Sequence, residues 1–223
     1  MTSFIEQYYD KSIRIAPDGF SFFRLNGKKI ASVSFSYTDN TLITNEAPEF
    51  FNSSDEITLI AARNIPMLVP EEIYDPARDK EFLTLQFDTS HLGESYSDKT
   101  GTYRAVYFLT QNEKDTLKRL PFRFQMVAES TLFYRFLCQQ EATDTLFVSR
   151  NSNFTDVMAV RKGEILMANR FQLVEPADTL YYIYNIVTQF RLQNPSLYVH
   201  FFADEDKKLT ALLKSHKLNP NIV

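Results

Sequence analysis

A three-strand meander occurs twice in this chain, and that duplication narrows the folds open to it more than any other feature. The first copy occupies residues 12–36. Ser12-Ile13-Arg14-Ile15 alternates as a half-buried strand does, Pro17-Asp18-Gly19 supplies a turn, and Phe20 to Leu25 reads as the second strand. The turn has a mechanism, since proline presets φ and glycine tolerates the positive φ that tight turns need. Asn26-Gly27 is a strong short hairpin signal. Ile30 to Tyr37 then follows as the third strand, with Val33 and Phe35 alternating against Ser32, Ser34 and Ser36. Residues 144–171 repeat the pattern: Thr145 to Ser149 and Phe154 to Val160 flank Asn151-Ser152-Asn153, and Arg161-Lys162-Gly163-Glu164 turns into Ile165 to Leu173. Aligning Gly27 with Gly163 brings Ile30 onto Leu166 and Phe35 onto Phe171.

Each meander is followed by α/β material. After the first come apolar runs at Ile57 to Ala61 and Ile65 to Val69, then a helix opening at Pro70-Glu71-Glu72. Proline at the first helical position followed by two acids suits a helix N-terminus by sterics and by dipole. Tyr103 to Leu109 reads as a buried strand and Asn112 to Leu120 as a short helix. After the second meander, Asp178 is placed to cap a helix reaching Leu192, with Leu180, Ile183, Tyr184, Val187 and Phe190 at helical spacing. Ser196 to Phe202 is a continuous apolar run of the kind a parallel sheet buries on both faces. Asp204 then caps a last helix with Leu209, Leu212 and Leu213 inward, and a further parallel strand is expected near Asn219 to Val223. The segment Phe122 to Gln140 falls between the two halves, and its Leu132, Phe133, Phe136 and Leu137 predict a helix apolar nearly all round. Three antiparallel strands followed by alternating strands and helices is the ribonuclease-H-like layout. Two such units give an α/β chain of actin-like ATPase architecture, with one lobe over 1–120 and the other over 121–223.

The bulk chemistry excludes several classes of function. Of 223 residues, 44% are hydrophobic and 14% aromatic, enough for a sizeable core and unlike a disordered chain. The net charge is −4, and the densest basic spots are the pairs Lys118-Arg119 and Lys207-Lys208, so no nucleic-acid partner is expected. A single cysteine, Cys138, precludes an internal disulfide, and its apolar neighbours make it read as a small core residue. Met1 to Glu6 lacks the charged-then-apolar pattern of a signal peptide. No apolar run approaches the ~20 residues of a membrane span. The expected placement is cytoplasmic, without membrane insertion.

The string Leu68-Val69-Pro70-Glu71-Glu72-Ile73-Tyr74-Asp75, and the later run from Thr145-Leu146-Phe147-Val148 through Phe154-Thr155-Asp156, resemble an uncharacterised bacterial family of unknown function with an actin-like ATPase fold. In outline the chain is also similar to pilus-assembly and type II secretion proteins that share this fold. The resemblance runs from Ser12 to Leu213 and implies the fold; it carries over no catalytic residue. It also implies where a nucleotide would sit, because nucleotide-binding members of the superfamily place an Asp-x-Gly turn at the first hairpin of each half. The first half here offers Asp18-Gly19 with no intervening residue, and the second offers Ser149-Arg150-Asn151. The five glycines (Gly19, Gly27, Gly93, Gly101, Gly163) include no Gly-Gly adenosine loop.

Other chemistries find less support. A two-metal nuclease wants an acid on the first strand, where this chain has Ile13-Arg14-Ile15. His91, His200 and His216 are far apart, no metal is expected, and His200 reads as a hydrogen-bonded strand histidine. Cys138 has only Arg135 nearby to activate it. Walker, Rossmann and nucleophile-elbow motifs are absent. Tyr8-Tyr9 and Tyr181-Tyr182 suit either a binding surface or the edge of the core. The expectation is therefore a non-catalytic interaction or scaffolding protein with an unidentified protein partner and no cofactor. The alternative is a divergent ATP-binding protein or ATPase with Asp18, Gly19 and Asp156 near the phosphates. A third reading places a small molecule in the inter-lobe cleft.

Overall fold

Each meander seeds a five-stranded sheet, and the two sheets have the same order. The computed structural model describes residues 3–26, 29–37, 50–51, 55–151, 153–202 and 206–223. Gly27, Ser152 and Asp204, which figure in the sequence reading, lie outside them. By contacts the chain divides into two units, Met1–Leu132 and Phe133–Val223.

In the first unit a short helix α1 (Phe4–Tyr8), capped by Ser3 and Glu6, leads into β1 (Ser12–Ala16), β2 (Gly19–Asn26) and β3 (Lys29–Ser36). β4 (Glu56–Ala61) runs parallel to β1, and β8 (Arg123–Ala128) parallel to β4, giving the order β3-β2-β1-β4-β8. All five residues of β1 are buried, as a central strand with both faces covered requires. Arg14 therefore sits in the interior rather than on a solvent face. One face of the sheet carries Ile13, Ile15, Phe20, Phe22, Phe35, Ile57 and Leu59, packed with Phe51, Leu109, Leu117, Leu120 and Phe122. Burying each such Phe or Leu is worth about 1.5–3 kcal/mol, so this cluster dominates the unit's stability.

Between β4 and β8 the chain builds a second, three-stranded sheet, β5 (Met67–Pro70), β7 (Tyr103–Thr110) and β6 (Leu92–Thr100), in the order β5-β7-β6. Here the structure departs from the sequence reading. Pro70 ends a strand; it does not open a helix. Two short 3₁₀ turns, Glu71–Ile73 and Pro76–Arg78, intervene before α2 (Asp79–Thr84), because Glu71 is drawn off by Arg104. β6 has no counterpart in the sequence reading: Ser95, Ser97 and Asp98 give it no apolar run, and its pairing with β7 makes it a strand. The helix α3 (Gln111–Leu117) follows β7 directly, with Thr110 and Glu113 forming a capping box.

The helix predicted at Leu132 to Leu137 is present, and the residues before it in the segment 122–140 form a strand. The segment divides into β8 and α4 (Glu129–Cys138), so residues 121–132, expected in the second half, pair and pack with the first unit's sheet. Asp98 fixes the junction by accepting from the Ala128 N–H at 2.7 Å and the Thr131 hydroxyl at 3.0 Å. Cys138 is exposed, contrary to the core placement expected, because it ends α4 on the side away from Phe136 and Leu137.

The second unit contains β9 (Asp144–Arg150), β10 (Phe154–Arg161), β11 (Glu164–Gln172), α5 (Pro176–Gln189), β12 (Ser196–Phe201), α6 (Lys207–Ser215) and β13 (Asn221–Ile222). Its sheet order is β11-β10-β9-β12-β13, the first unit's order repeated, with β12 parallel to both β9 and β13. Phe133 and Phe136 pack on Phe147 at 4.4 and 5.6 Å between centroids. Glu175, not Asp178, is the N-cap of α5; Asp178 closes the capping box from three residues on. Leu180, Ile183 and Ile186 face the core and Tyr184 faces out. Asp206 caps α6, accepting from Lys208 and Leu209. The expected last strand is present as two paired residues.

Candidate functional site

The parallel pairing of β1 with β4 puts their C-terminal ends on one edge of the first sheet, Ile15 beside Ala61. In open α/β sheets that edge is where ligands bind. The Asp18 turn lies here, with Asp18 exposed and Gly19 paired to both Ala16 and Ser36. Gly19 has φ +148°, and a Cβ added there would sit 1.9 Å from the Phe35 carbonyl oxygen. Strand pairing alone therefore demands this glycine. Asp18 and Gly19 border a cavity of about 210 Å³ lined by Ser21, Ser34 and Ser36.

Along the same edge, Glu113 is buried and fully engaged. It accepts from the Tyr37 hydroxyl at 2.7 Å, Arg63 Nε at 2.8 Å, and the Thr110 N–H and hydroxyl at 2.7 and 2.8 Å. Burial and the neighbouring carboxylate hold the Tyr37 hydroxyl far above the usual phenol range, so it remains a donor. The Arg63 guanidinium lies over the Tyr37 ring at 5.2 Å.

Asp156 lies in the second unit and is not at a turn. It is two residues inside β10, 1% exposed, and Arg170 grips both its oxygens at 2.6 and 2.7 Å. That guanidinium also covers the Phe154 ring at 3.8 Å from its centroid. Register shows what matches what. Phe20 faces Phe35 and Thr155 faces Phe171, so the aligned Phe35 and Phe171 make Asn153 the counterpart of Asp18. The counterpart of Asp156 is Ser21, whose hydroxyl meets Ser34 at 2.8 Å where the second unit has its ion pair. Arg150, at the end of β9, hydrogen-bonds the Asn151 carbonyl, and burial lowers its pKa while the charges of Asp206 and Asp178 oppose that.

A groove of about 310 Å³ opens elsewhere in the first unit, where β4 and β8 meet β6 and α3. Its floor is Leu59, Phe122, Phe124 and Met126, with Tyr96 and Leu117 as walls. On its rim Lys114 is paired with Glu94 at 2.9 Å, whereas Lys118 is 63% exposed and 3.8 Å from Asp115. Burial, then the Glu94 charge, push the Tyr96 hydroxyl up to about 12.

Among the described residues no three His, Cys, Asp or Glu are placed to hold a metal. His91 lines the cavity beside Arg63, His200 is buried with Nδ1 2.8 Å from the Val223 carbonyl, and His216 is exposed beside Tyr184. Tyr9 is core, packed on Phe23 at 5.1 Å, and Tyr182 stacks on Phe171 while Tyr181 is 63% exposed. No helix among the described residues is long and apolar enough to cross a membrane.

Two sheets of identical order, each a meander extended by parallel strands, define an actin-like ATPase fold. Solved structures agree. A protein of actin-like ATPase fold and unknown function from Bacteroides thetaiotaomicron is similar with TM-score 0.68 at 18% identity, over 97% of this chain and 92% of that one. The PilM-PilN type IV pilus biogenesis complex contains a chain similar at TM-score 0.62 and 10% identity, over 96% of this chain and 88% of that chain. The ethanolamine utilization protein EutJ of Carboxydothermus hydrogenoformans is similar at TM-score 0.55 and 7% identity, over 95% and 83%. No curated protein matches by sequence. The chain belongs to the family described as "Protein of unknown function (DUF3822)", whose model matches residues 1–222.

Proposed function

We propose that this chain is a non-catalytic interaction protein that docks a protein segment in the apolar groove of its first unit. The groove carries the reading, because Phe124 and Met126 are only partly buried on a strand whose other residues on that face have been covered. Its rim selects the occupant. Lys118 is the more exposed of its two cations, and Lys114 is taken up by Glu94, so a segment with large apolar side chains and an adjacent carboxylate is the complementary partner. That a similar fold occurs in the PilM-PilN complex supports a protein partner over a small substrate. The fit to nucleotide is poor: Asp156 already accepts two N–H bonds from Arg170, and Gly19 serves strand pairing. A cytoplasmic placement belongs to the same proposal, as does the lack of a nucleic-acid partner, which the net charge of −4 supports.

Random displayed peptides selected on the immobilised protein test the docking. Enriched sequences should combine apolar residues with Asp or Glu. They should lose binding to Met126→Glu and weaken on Lys118→Glu. Failure to enrich, or equal binding to Met126→Glu, would reject the groove. The second reading, divergent ATP binding through Asp18, Gly19 and Asp156, has in its favour the small hydroxyl-lined cavity beside Asp18.

A further inference from the structure

The groove of the first unit is bordered by an open strand edge. β8 is the outermost strand of its sheet, and hydrogen-bond parity fixes which way its main chain points. The Thr58 N–H donates to the Lys11 carbonyl at 3.0 Å and the Ala62 N–H to the Ile15 carbonyl at 2.8 Å. Alternation along β4 therefore turns the main chain of Ile57, Leu59 and Ala61 toward β8. In a parallel ladder each residue bonds the two neighbours of its register partner. Leu59 is in register with Met126 and Ile57 with Phe124, so Arg123, Gln125 and Val127 bond β4. The main chain of Phe124, Met126 and Ala128 then faces away from the sheet. Ala128 agrees with this parity, since its N–H goes to Asp98 of β6 at 2.7 Å.

Phe124 and Met126 are half-buried, and their main-chain N–H and C=O groups have no hydrogen-bond partner among the described residues. The side chains of the same two residues floor the groove, and Glu94 and Tyr96 line it from β6. A docking helix would satisfy its own main chain and leave these four groups to water. An extended segment would pair with all four while every second side chain entered the groove, which is strand addition to an open sheet edge. On the opposite face of the sheet Gln125 donates to Glu56 at 2.6 Å, so polar side chains suit the intervening positions.

We propose that the segment docked in this groove is an extended strand, added to β8 through Phe124 and Met126, with apolar side chains at every second position. This strand addition rests on the docking reading above and specifies its partner further. Asp98 already holds the Ala128 N–H, so the added ladder stops there and orders about four residues of the partner.

Heptapeptides enriched from a displayed library supply the probe, and the tightest is resynthesised with a methyl on one main-chain nitrogen at a time. Methylation should weaken binding about tenfold at alternate positions, those whose N–H bonds β8, and change it by less than about twofold at the positions between. Saturating peptide should slow exchange of the Phe124 and Met126 amide hydrogens by about tenfold or more. Apolar residues enriched at helical spacing, tolerance of the methyl at every position, or unslowed exchange at both amides would each overturn strand addition while leaving the groove a docking site. Failure to enrich any peptide, or equal binding to Met126→Glu, would remove the docking itself and the added strand with it.

Discussion

Arg14 and Glu129 are 115 residues apart in sequence and meet at 2.5 Å with almost no exposure, while the Tyr9 hydroxyl donates to the same carboxylate at 2.7 Å. Burial, then the Glu129 charge, hold Tyr9 well above the ordinary phenol range. Removing one partner of such a pair strands the other charge, so Glu129→Ala should cost about 3–5 kcal/mol in urea unfolding. The double change Arg14→Met with Glu129→Leu should recover most of that loss. Asp79 runs the other way. Burial raises its pKa, and hydrogen bonds from Tyr74 and Ser95 only partly oppose this. Its folded value lies above its unfolded one, so the charged form is a penalty that is full at neutral pH and relieved as pH falls through the folded value. Asp79→Asn should therefore raise the melting temperature at pH 7, with the gain shrinking in acid; a gain constant with pH would refute the cause. None of this was legible in the sequence. Arg14 read as the outward residue of an alternating strand, and its inward turn depends on a glutamate that only the tertiary fold supplies.

At the scale of elements, the meanders were readable because their turns carry Gly19 and Gly163 and their strands alternate. The helix expected at Pro70 was not formed, since proline and acids also suit a strand end whose glutamate binds Arg104. β6 and β8 were not legible for opposite reasons: β6 has only Leu92 and Tyr96 among polar residues, and β8 runs in sequence straight into the longer apolar helix α4. Phe122, Phe124 and Met126 do alternate, and that period of two was the available signal for the groove floor. Gly19→Ala tests the account of the Asp18 turn. If strand pairing is what requires glycine, the variant should lose more than about 1 kcal/mol of stability. A near-neutral substitution would return Gly19 to a ligand role.

For the molecule as a whole, the duplication explains both what was readable and what was not. Two sheets of one order follow from two copies of one pattern, and the family membership and the similar solved structures accord with that. The candidate site residues were chosen by motif position, whereas the register makes Asn153 the counterpart of Asp18 and leaves Asp156 inside an ion pair. Charge had been drawn into the fold, which a linear motif does not display. The proposed function requires that this actin-like fold work without nucleotide. Thermal unfolding with and without millimolar Mg-ATP tests it most directly. A ligand at 100 times its Kd adds about 2.7 kcal/mol, a shift of several degrees. Melting should be unchanged; a clear rise that Asp18→Ala abolishes would overturn the nucleotide-free function.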